Sequence, residues 1–239
     1  MDFKMELDEL EPWGIHTFDH AYGGLPKRMF NFLHTTSKDA SIAAVGHFLK
    51  SGIQLGQKVV LVSFEHPAYL FAKFKEYNFD FDDALLTEQL IYLYYKPVFS
   101  FSLNLATNYR LLFDEIKALA KSEAGRIAFL NSEVLFNLET HLLAETSAEK
   151  IMATFCDQDC VVLGCYQATN SHVNTYLNDI CHTSLRSFLE ITSVNQGGEN
   201  KYELILHKSP IISEMDPIEL RLNKASGFNI PNMELIKHG

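Results

Sequence analysis

The chain has 239 residues, of which 47% are hydrophobic and 12% aromatic; this is enough apolar material for a full core, so disorder is not expected. Its 30 acidic residues outnumber its 20 basic ones, and the net charge of −10 disfavours general nucleic-acid binding. No apolar run reaches the roughly 18 residues of a membrane helix, and the acidic N-terminus lacks a secretion signal, so we expect a cytoplasmic protein without a membrane partner.

Strand-like and helix-like patterns alternate along most of the chain. Short apolar or β-branched runs predict buried strands at 28–33, 58–64, 90–95, 126–131 and 160–166. Amphipathic patterns between them predict helices at 40–52, 67–77, 106–125, 146–156 and 172–181. This order favours a mostly parallel sheet with helices on both faces.

The pattern changes after residue 183. Residues 184–194 and 201–208 alternate between apolar and polar positions, and they flank "NQGGEN", which is typical of a hairpin turn. We therefore expect an antiparallel hairpin at the C-terminal edge of the sheet. The resulting division is an acidic N-terminal segment (1–12), one domain (13–210) and a C-terminal tail (211–239) that is a candidate docking segment.

The four cysteines do not match a zinc pattern. Cys156, Cys160, Cys165 and Cys181 have irregular spacing, and Cys165 falls within a predicted strand. Buried reduced thiols are the favoured interpretation, with zinc or a redox pair as the alternatives.

Two stretches resemble the KaiC-like branch of the RecA superfamily. "GIHTFDHAYGGLP" (14–26) is similar to that family's opening, and "HFLKSGIQLGQKVVLVSFEH" (47–66) is similar to its next helix and strand. The resemblance covers residues 13–210 and implies a RecA-like three-layer α/β fold. Such a fold has a mostly parallel central sheet, helices on both faces and a C-terminal antiparallel β-hairpin. His16 and His20 lie inside the opening, where the resemblance implies no metal.

The family's phosphate loop, G-x-x-x-x-G-K-[ST], aligns without gaps on residues 35–42. Thr35 and Ala40 stand at the glycine positions, Ser41 at the lysine position and Ile42 at the hydroxyl position. Glycines let backbone N–H groups turn around phosphates, the lysine neutralises their charge, and the hydroxyl holds Mg²⁺. All four defining positions differ, which predicts a degenerate phosphate loop that has lost its nucleotide.

Polar residues beside this loop are candidates for the role that the phosphate plays. Asp39 or Ser37 can cap the following helix, and a carboxylate at Asp39 would also repel a triphosphate. Lys38 precedes the family lysine position by three residues and is interpreted as a solvated loop lysine.

The family's metal-binding carboxylate is replaced in this chain, whereas one of its catalytic carboxylates is present. Asn131 stands where the family has a magnesium-binding carboxylate, and an amide carries no charge for a hard cation. Glu65 remains from the family's S-x-E-E and is a vestigial catalytic candidate. Its favoured role is to cap the helix that begins near Pro67, and an acid–base pair with His66 is the alternative. No metal is expected.

These observations predict a pseudo-ATPase: a non-catalytic protein that acts through protein–protein contact as a regulatory or structural partner. Relatives in the family assemble as rings or filaments, so the expected partner is a second copy, an active relative or another protein. No cofactor is expected. The alternative is a KaiC-like protein that binds ATP weakly, with weak or no hydrolysis. A recombinase-like function is disfavoured by the net charge of −10.

The aromatic run at 91–103 packs in the core or forms a partner surface.

Overall fold

The computed structural model describes residues 10–94, 114–116, 118–119, 124–130, 159–167, 187–194, 201–210, 212 and 216–229. The helices are α1 (His16–Tyr22), α2 (Lys38–Gln54), α3 (Pro67–Glu76) and α4 (Asp82–Leu86). The strands are β1 (Leu10–Glu11), β2 (Leu25–Pro26), β3 (Phe30–Thr35), β4 (Lys58–Ser63), β5 (Leu90–Tyr94), β6 (Ala124–Phe129), β7 (Val161–Gln167), β8 (Ser187–Ser193), β9 (Lys201–Lys208), β10 (Ile218–Asn223) and β11 (Gly227–Asn229). The predicted helices at 146–156 and 172–181 and the turn at 195–200 lie outside the described residues. Within the predicted helix at 106–125, residues 114–116 and 118–119 are helical, whereas residues 124 and 125 belong to β6, so the predicted C-terminal end of this helix is wrong.

Nine of the eleven described strands form a central sheet in the order β11-β10-β9-β8-β3-β7-β6-β4-β5, and β1 pairs antiparallel with β2 in a separate two-stranded sheet. The strands from β8 to β5 run parallel, whereas β9, β10 and β11 add antiparallel pairings. The predicted mostly parallel α/β sheet and the antiparallel β8–β9 pair are therefore confirmed. The last two strands were not predicted. They lie within the 211–239 segment and extend the same sheet.

The central strands are rich in apolar residues because both of their faces are covered. All residues of β3 are buried, and β4 and β7 each have one residue that is not. The first of these strands starts at Phe30 rather than at residue 28. The reason is a turn at Arg28, whose φ of 56° is incompatible with an extended strand.

Helix α2 is enclosed over most of its length. Every residue from Ala40 to Gly46 is buried, which explains why "ASIAAVG" is small or apolar on all sides. One side of the helix covers the sheet, and the N-terminal segment and β11 cover other parts of it. The indole Nε1 of Trp13 donates a hydrogen bond to the carbonyl of Ala44 at 3.0 Å, which fixes the N-terminal segment on the helix.

Aromatic rings pack around the side chains that β3 directs away from α2. Phe32 lies 4.7 Å from Tyr166 and 6.0 Å from Phe188, and Phe30 lies 5.8 Å from Phe129, measured between ring centroids. Each of these side chains is almost completely buried. These contacts bind β3 to strands that are more than 90 residues away in the chain.

A buried arginine of β6 joins three other parts of the chain. Arg126 of β6 has no exposed surface, and its guanidinium donates to Pro12 O at 2.7 Å, Phe48 O at 3.1 Å and Gln57 Oε1 at 2.7 Å. Glu11 Oε2 lies 3.5 Å from the guanidinium. Burial lowers the pKa of Arg126 to about 10, which leaves it charged at neutral pH.

Replacing Arg126 with leucine should lower the free energy of unfolding by about 3–5 kcal/mol, because buried acceptors lose their partner and Glu11 loses its counter-ion. Urea denaturation measures this change. Lys73→Leu is the matched control, since Lys73 forms an exposed pair with Glu76 and its removal should change the free energy of unfolding much less. Equal losses for the two variants would contradict a central role for Arg126.

Candidate functional site

The candidate site lies at the carboxyl end of β3, where the chain enters α2. In open α/β sheets, ligands bind in the crevice outside the carboxyl ends of the strands, where the chain reverses its direction of winding. β3 has β7 on one side and β8 on the other, while the chain continues from β3 to β4 several strands away. The turn between β3 and α2 therefore occupies the position expected of a ligand site in this kind of sheet.

Ser37 caps α2. Helix α2 begins at Lys38, and the Ser37 Oγ accepts a hydrogen bond from the Ala40 N–H at 3.3 Å. Of the two candidate caps, Ser37 takes the position, whereas Asp39 lies in the first helical turn and is exposed. The cap satisfies one of the N–H donors that otherwise remain unpaired at a helix start.

The hydroxyl of Thr35 closes the turn. Thr35 Oγ1 donates to the carbonyl of Ser37 at 2.7 Å and accepts from the Ser37 N–H at 3.0 Å. Within the turn and first helical residues, 35–42, all of which are described, no residue has a positive φ. An anion-binding nest requires backbone N–H groups that converge through alternating right- and left-handed conformations. That arrangement is missing from this turn.

The other positions aligned with the phosphate loop lie inside the helix. Ala40, Ser41 and Ile42 are buried, and Ser41 Oγ donates to the carbonyl of Ser37 at 3.2 Å. Their side chains face protein rather than the crevice. Asn131, the position aligned with the metal carboxylate, lies outside the described residues.

Asp39 places a carboxylate beside the start of α2. It lies close to Tyr77, the residue after α3. Burial raises the pKa of the Tyr77 phenol, and the charge of Asp39 raises that pKa further. A carboxylate in the first turn interacts favourably with the helix dipole. It also presents negative charge where an incoming phosphate would approach.

Lys38 and Glu65 form an ion pair across the crevice. Lys38 Nζ lies 2.5 Å from Glu65 Oε1 and 4.9 Å from the centre of the Tyr69 ring. Partial burial by itself lowers the pKa of Lys38, but the hydrogen bond and charge of Glu65 outweigh it and raise that pKa overall. Lys38 is therefore the first residue of the helix and is paired, which corrects its interpretation as a solvated loop lysine.

Glu65 does not cap α3. The residue at the N-cap position is His66, and no side chain caps that helix start. The backbone of Glu65 is fixed instead: its N–H donates to Ser63 Oγ at 3.1 Å, and its carbonyl accepts from the Tyr92 hydroxyl at 2.5 Å. The structure thus holds the carboxylate at the end of β4 in reach of Lys38.

Tyr202 of β9 also contacts the cap. Its hydroxyl lies 3.3 Å from the Ser37 Oγ, and its side chain is almost completely buried. Residue 202 was predicted only as part of a strand. The contact follows from the position of β9 next to β8 and could not be read from local sequence.

A second polar cluster lies one residue before the turn. Glu190 accepts from His34 Nδ1 and from His207 Nε2, each at 2.8 Å. The hydrogen bond with His34 is the main reason that the pKa of Glu190 falls to about 2, despite burial, which acts in the opposite direction. His207 is the additional residue of an irregular β8–β9 register, and the His34 ring stacks on Tyr166 at 4.7 Å. The cluster joins β3, β8 and β9 at the edge of the crevice.

The residues that carry the resemblance in the opening have structural roles. The Asp19 carboxylate accepts from the N–H groups of Trp13 and Gly14 at 2.6 and 2.7 Å. Gly14 has a φ of 98° and Gly24 a φ of 126°, and a Cβ on Gly24 would lie 2.0 Å from the carbonyl oxygen of Glu11. These positions need no nucleotide to explain them.

Metal-binding side chains do not converge in the part of the chain that the structure describes. There, no group of three or more His, Cys, Asp or Glu residues is placed to hold an ion. His16 and His20 are exposed on α1, with ring centroids 6.2 Å apart. Cys160 and Cys165 are buried free thiols, and the other two cysteines lie outside the described residues.

Among the described helices, none is both long and apolar enough to cross a membrane.

Comparison with known proteins adds no relative. No family model matches the chain, and no curated protein matches it. The similarity to KaiC-like proteins therefore stays a prediction that rests on the opening and on the 47–66 block.

Changing Ser37 to alanine should lower the free energy of unfolding by about 0.5–2 kcal/mol, because the Ala40 N–H loses its acceptor. Chemical denaturation measures the loss. Ser37→Asp is the matched control, since aspartate also caps helices and should restore most of the stability. Asp39→Ala should cost less than Ser37→Ala. The reverse order would show that Asp39, not Ser37, stabilises the helix start.

Proposed function

We propose that this chain is a RecA/KaiC-like pseudo-ATPase that has lost its nucleotide site and acts through protein–protein contact. The observation that carries the proposal is the helix start at Lys38 with Ser37 as its cap. In a phosphate-binding loop, the N–H groups at this point are left for the ligand. Here a side chain of the protein already accepts from one of them, and the turn has no glycine.

The charges around the turn support the same conclusion. Asp39 is exposed in the first turn of α2 and repels phosphate, and Lys38 is paired with Glu65 rather than free for a ligand. Glu65 could activate water only if it were released from this pair and if a metal and a substrate were present. The proposed fold therefore keeps one catalytic carboxylate position of the family in a structural ion pair.

Exposed aromatic side chains near the crevice provide a surface for the proposed contact. Tyr69 and Tyr94 are 42% and 44% exposed, and His66 packs edge-on against Tyr94 with ring centroids 6.1 Å apart. Exposed aromatic groups are common in protein interfaces. The proposed partner is a second copy of the chain or an active RecA/KaiC-like relative, for which this protein would be a regulatory or structural subunit.

One observation favours the alternative of weak ATP binding. Lys38 lies in the first turn of α2, and its side chain is 40% exposed. A cation at a helix start could meet a phosphate if it exchanged Glu65 for the ligand. This alternative predicts that Glu65→Gln strengthens ATP binding, whereas a lost site predicts that the substitution leaves ATP binding unchanged.

Isothermal titration with ATP and Mg²⁺ tests the loss of the nucleotide site. We expect no binding, or a dissociation constant near 1 mM, which corresponds to about 4 kcal/mol and is within reach of base stacking alone. A dissociation constant in the low micromolar range for the unaltered protein would refute the proposal. So would ATP hydrolysis that Glu65→Gln abolishes.

A matched variant restores the family motif by combining Thr35→Gly, Ala40→Gly, Ser41→Lys and Ile42→Thr. It regains the donors and the charge of a phosphate loop, but residue 131 remains an asparagine. We therefore expect measurable ATP binding with little or no hydrolysis. Circular dichroism must first show that this variant is folded, because lysine replaces a buried serine.

Self-association is the second expectation of the proposal. Static light scattering across a range of protein concentrations should show a mass above that of one 27.2 kDa chain. Tyr69→Lys combined with Tyr94→Lys should reduce the mass if the aromatic surface is the contact, and Leu55→Lys, at an exposed apolar residue elsewhere, is the control. A single mass of one chain at high concentration would leave an active relative or another protein as the partner.

A further inference from the structure

One imidazole holds the C-terminal strand β11 against α2. The Phe228 N–H donates to His47 Nε2 at 2.9 Å. The His47 ring meets Phe79 edge-on at 5.0 Å and lies nearly parallel to the Phe228 ring at 6.3 Å. Because Nε2 is the acceptor, only an imidazole without a proton on that nitrogen can form this bond.

The strand backbone approaches the imidazole directly. A Cβ on Gly227 would lie 2.7 Å from His47 Nε2 and 2.7 Å from Phe79 Cζ, so a larger side chain would prevent this contact. Tyr202 packs edge-on against Phe228 at 5.8 Å. The docked strand is therefore part of a tightly packed group, not a loosely attached end.

The surroundings of His47 favour its neutral form. Burial is the largest cause that lowers the pKa of His47 to about 4, and Lys50 on the same helix adds to it, while a hydrogen bond with the Gly14 backbone acts in the opposite direction. On the side of Gly14, helix α1 carries Asp19, whose carboxylate accepts from the N–H groups of Trp13 and Gly14. β9 contributes Tyr202, whose ring lies against Phe228.

We propose that His47 is an acid-sensitive latch that keeps β11 docked on α2 and releases it when Nε2 gains a proton. A proton on Nε2 would face the Phe228 N–H, so two donors would meet and the hydrogen bond would be replaced by repulsion. Release uncovers Phe79 and the adjoining apolar surface of α2. This device goes beyond the proposed function, because it does not depend on the phosphate-loop region or on a partner.

The direction of the pH effect follows from linkage. A free histidine has a pKa of 6.5, and in the docked state that pKa is about 4. The released state therefore binds more protons, so docking is fully stable above pH 6.5 and weakens as the pH falls from 6.5 to 4. This difference in pKa between the two states raises the equilibrium constant for the release of β11 on the order of a hundredfold between pH 7 and pH 4.

Amide hydrogen exchange monitored by NMR measures the opening. We expect the protection factor of the Phe228 amide, corrected for intrinsic exchange, to fall on the order of a hundredfold between pH 7 and pH 4. The Leu163 amide in the centre of β7 should keep its protection, which shows that the domain as a whole stays folded. Unchanged protection at Phe228 down to pH 4 would overturn the proposal.

Variants of His47 separate the latch from general acid effects. His47→Gln keeps an acceptor that does not titrate, so Phe228 should remain protected at both pH values. His47→Leu removes the acceptor, and protection should be low at both. His16→Gln changes an exposed histidine and should leave the response of the unaltered protein intact. If His47→Gln loses protection on acidification as the unaltered protein does, the proposal is wrong.

The nitrogen chemical shift of His47 in the unaltered protein gives a second reading that does not depend on how any variant folds. Nε2 should gain its proton in the same pH range in which the Phe228 amide loses protection. An Nε2 that remains unprotonated while the strand is released would assign the release to another group, and the latch would be refuted.

Discussion

The buried guanidinium of Arg126 fixes the segment around Pro12, helix α2 and the start of β4 relative to one another. A charge without exposed surface is costly unless all its donors find acceptors, and Arg126 takes them from Pro12, Phe48 and Gln57. The N-terminal segment must therefore cross beside α2. Once Pro12 is fixed, Trp13 reaches the middle of the helix, and α2 becomes enclosed on a side that would otherwise meet solvent. Enclosure in turn explains why the part of α2 from Ala40 to Gly46, next to a candidate ligand site, consists of small and apolar residues.

The central parallel strands were predictable because burial on both faces leaves a signal in the local sequence. β4 and β7 are nearly continuous apolar runs for that reason, whereas β3 also buries the polar side chains of Asn31, His34 and Thr35. β11 was missed because it is an edge strand of only three residues, and β10, which lies between β9 and β11, lacks the continuous apolar run of a strand that is buried on both faces. α1 was missed because a helix of seven residues is too short for a clear period; Asp19 and the left-handed Gly23 determine where it begins and ends.

The candidate site was predictable only where its chemistry is local. Ser37 and Asp39 were identified as candidate caps because both precede the amphipathic run, and the structure decided between them. The pairing of Lys38 with Glu65 spans 27 residues and depends on where β4 lies relative to β3. The contact of His34 with Glu190 spans 156 residues. Strand order brings such groups together, and local periodicity contains no information on it.

Fold and nucleotide chemistry place separate demands on this chain. Gly14, Asp19 and Gly24 meet backbone requirements, so their presence does not imply a ligand. A helix start at the carboxyl end of a sheet still has unpaired N–H donors and a positive end, whether or not a phosphate is present. Ser37 and Asp39 satisfy that demand from within the protein. An incoming phosphate would have to displace a cap worth about 1 kcal/mol, approach a carboxylate and separate Lys38 from Glu65. A turn stabilised in this way is ordered without a ligand, and such order is what a protein that acts through its surface requires.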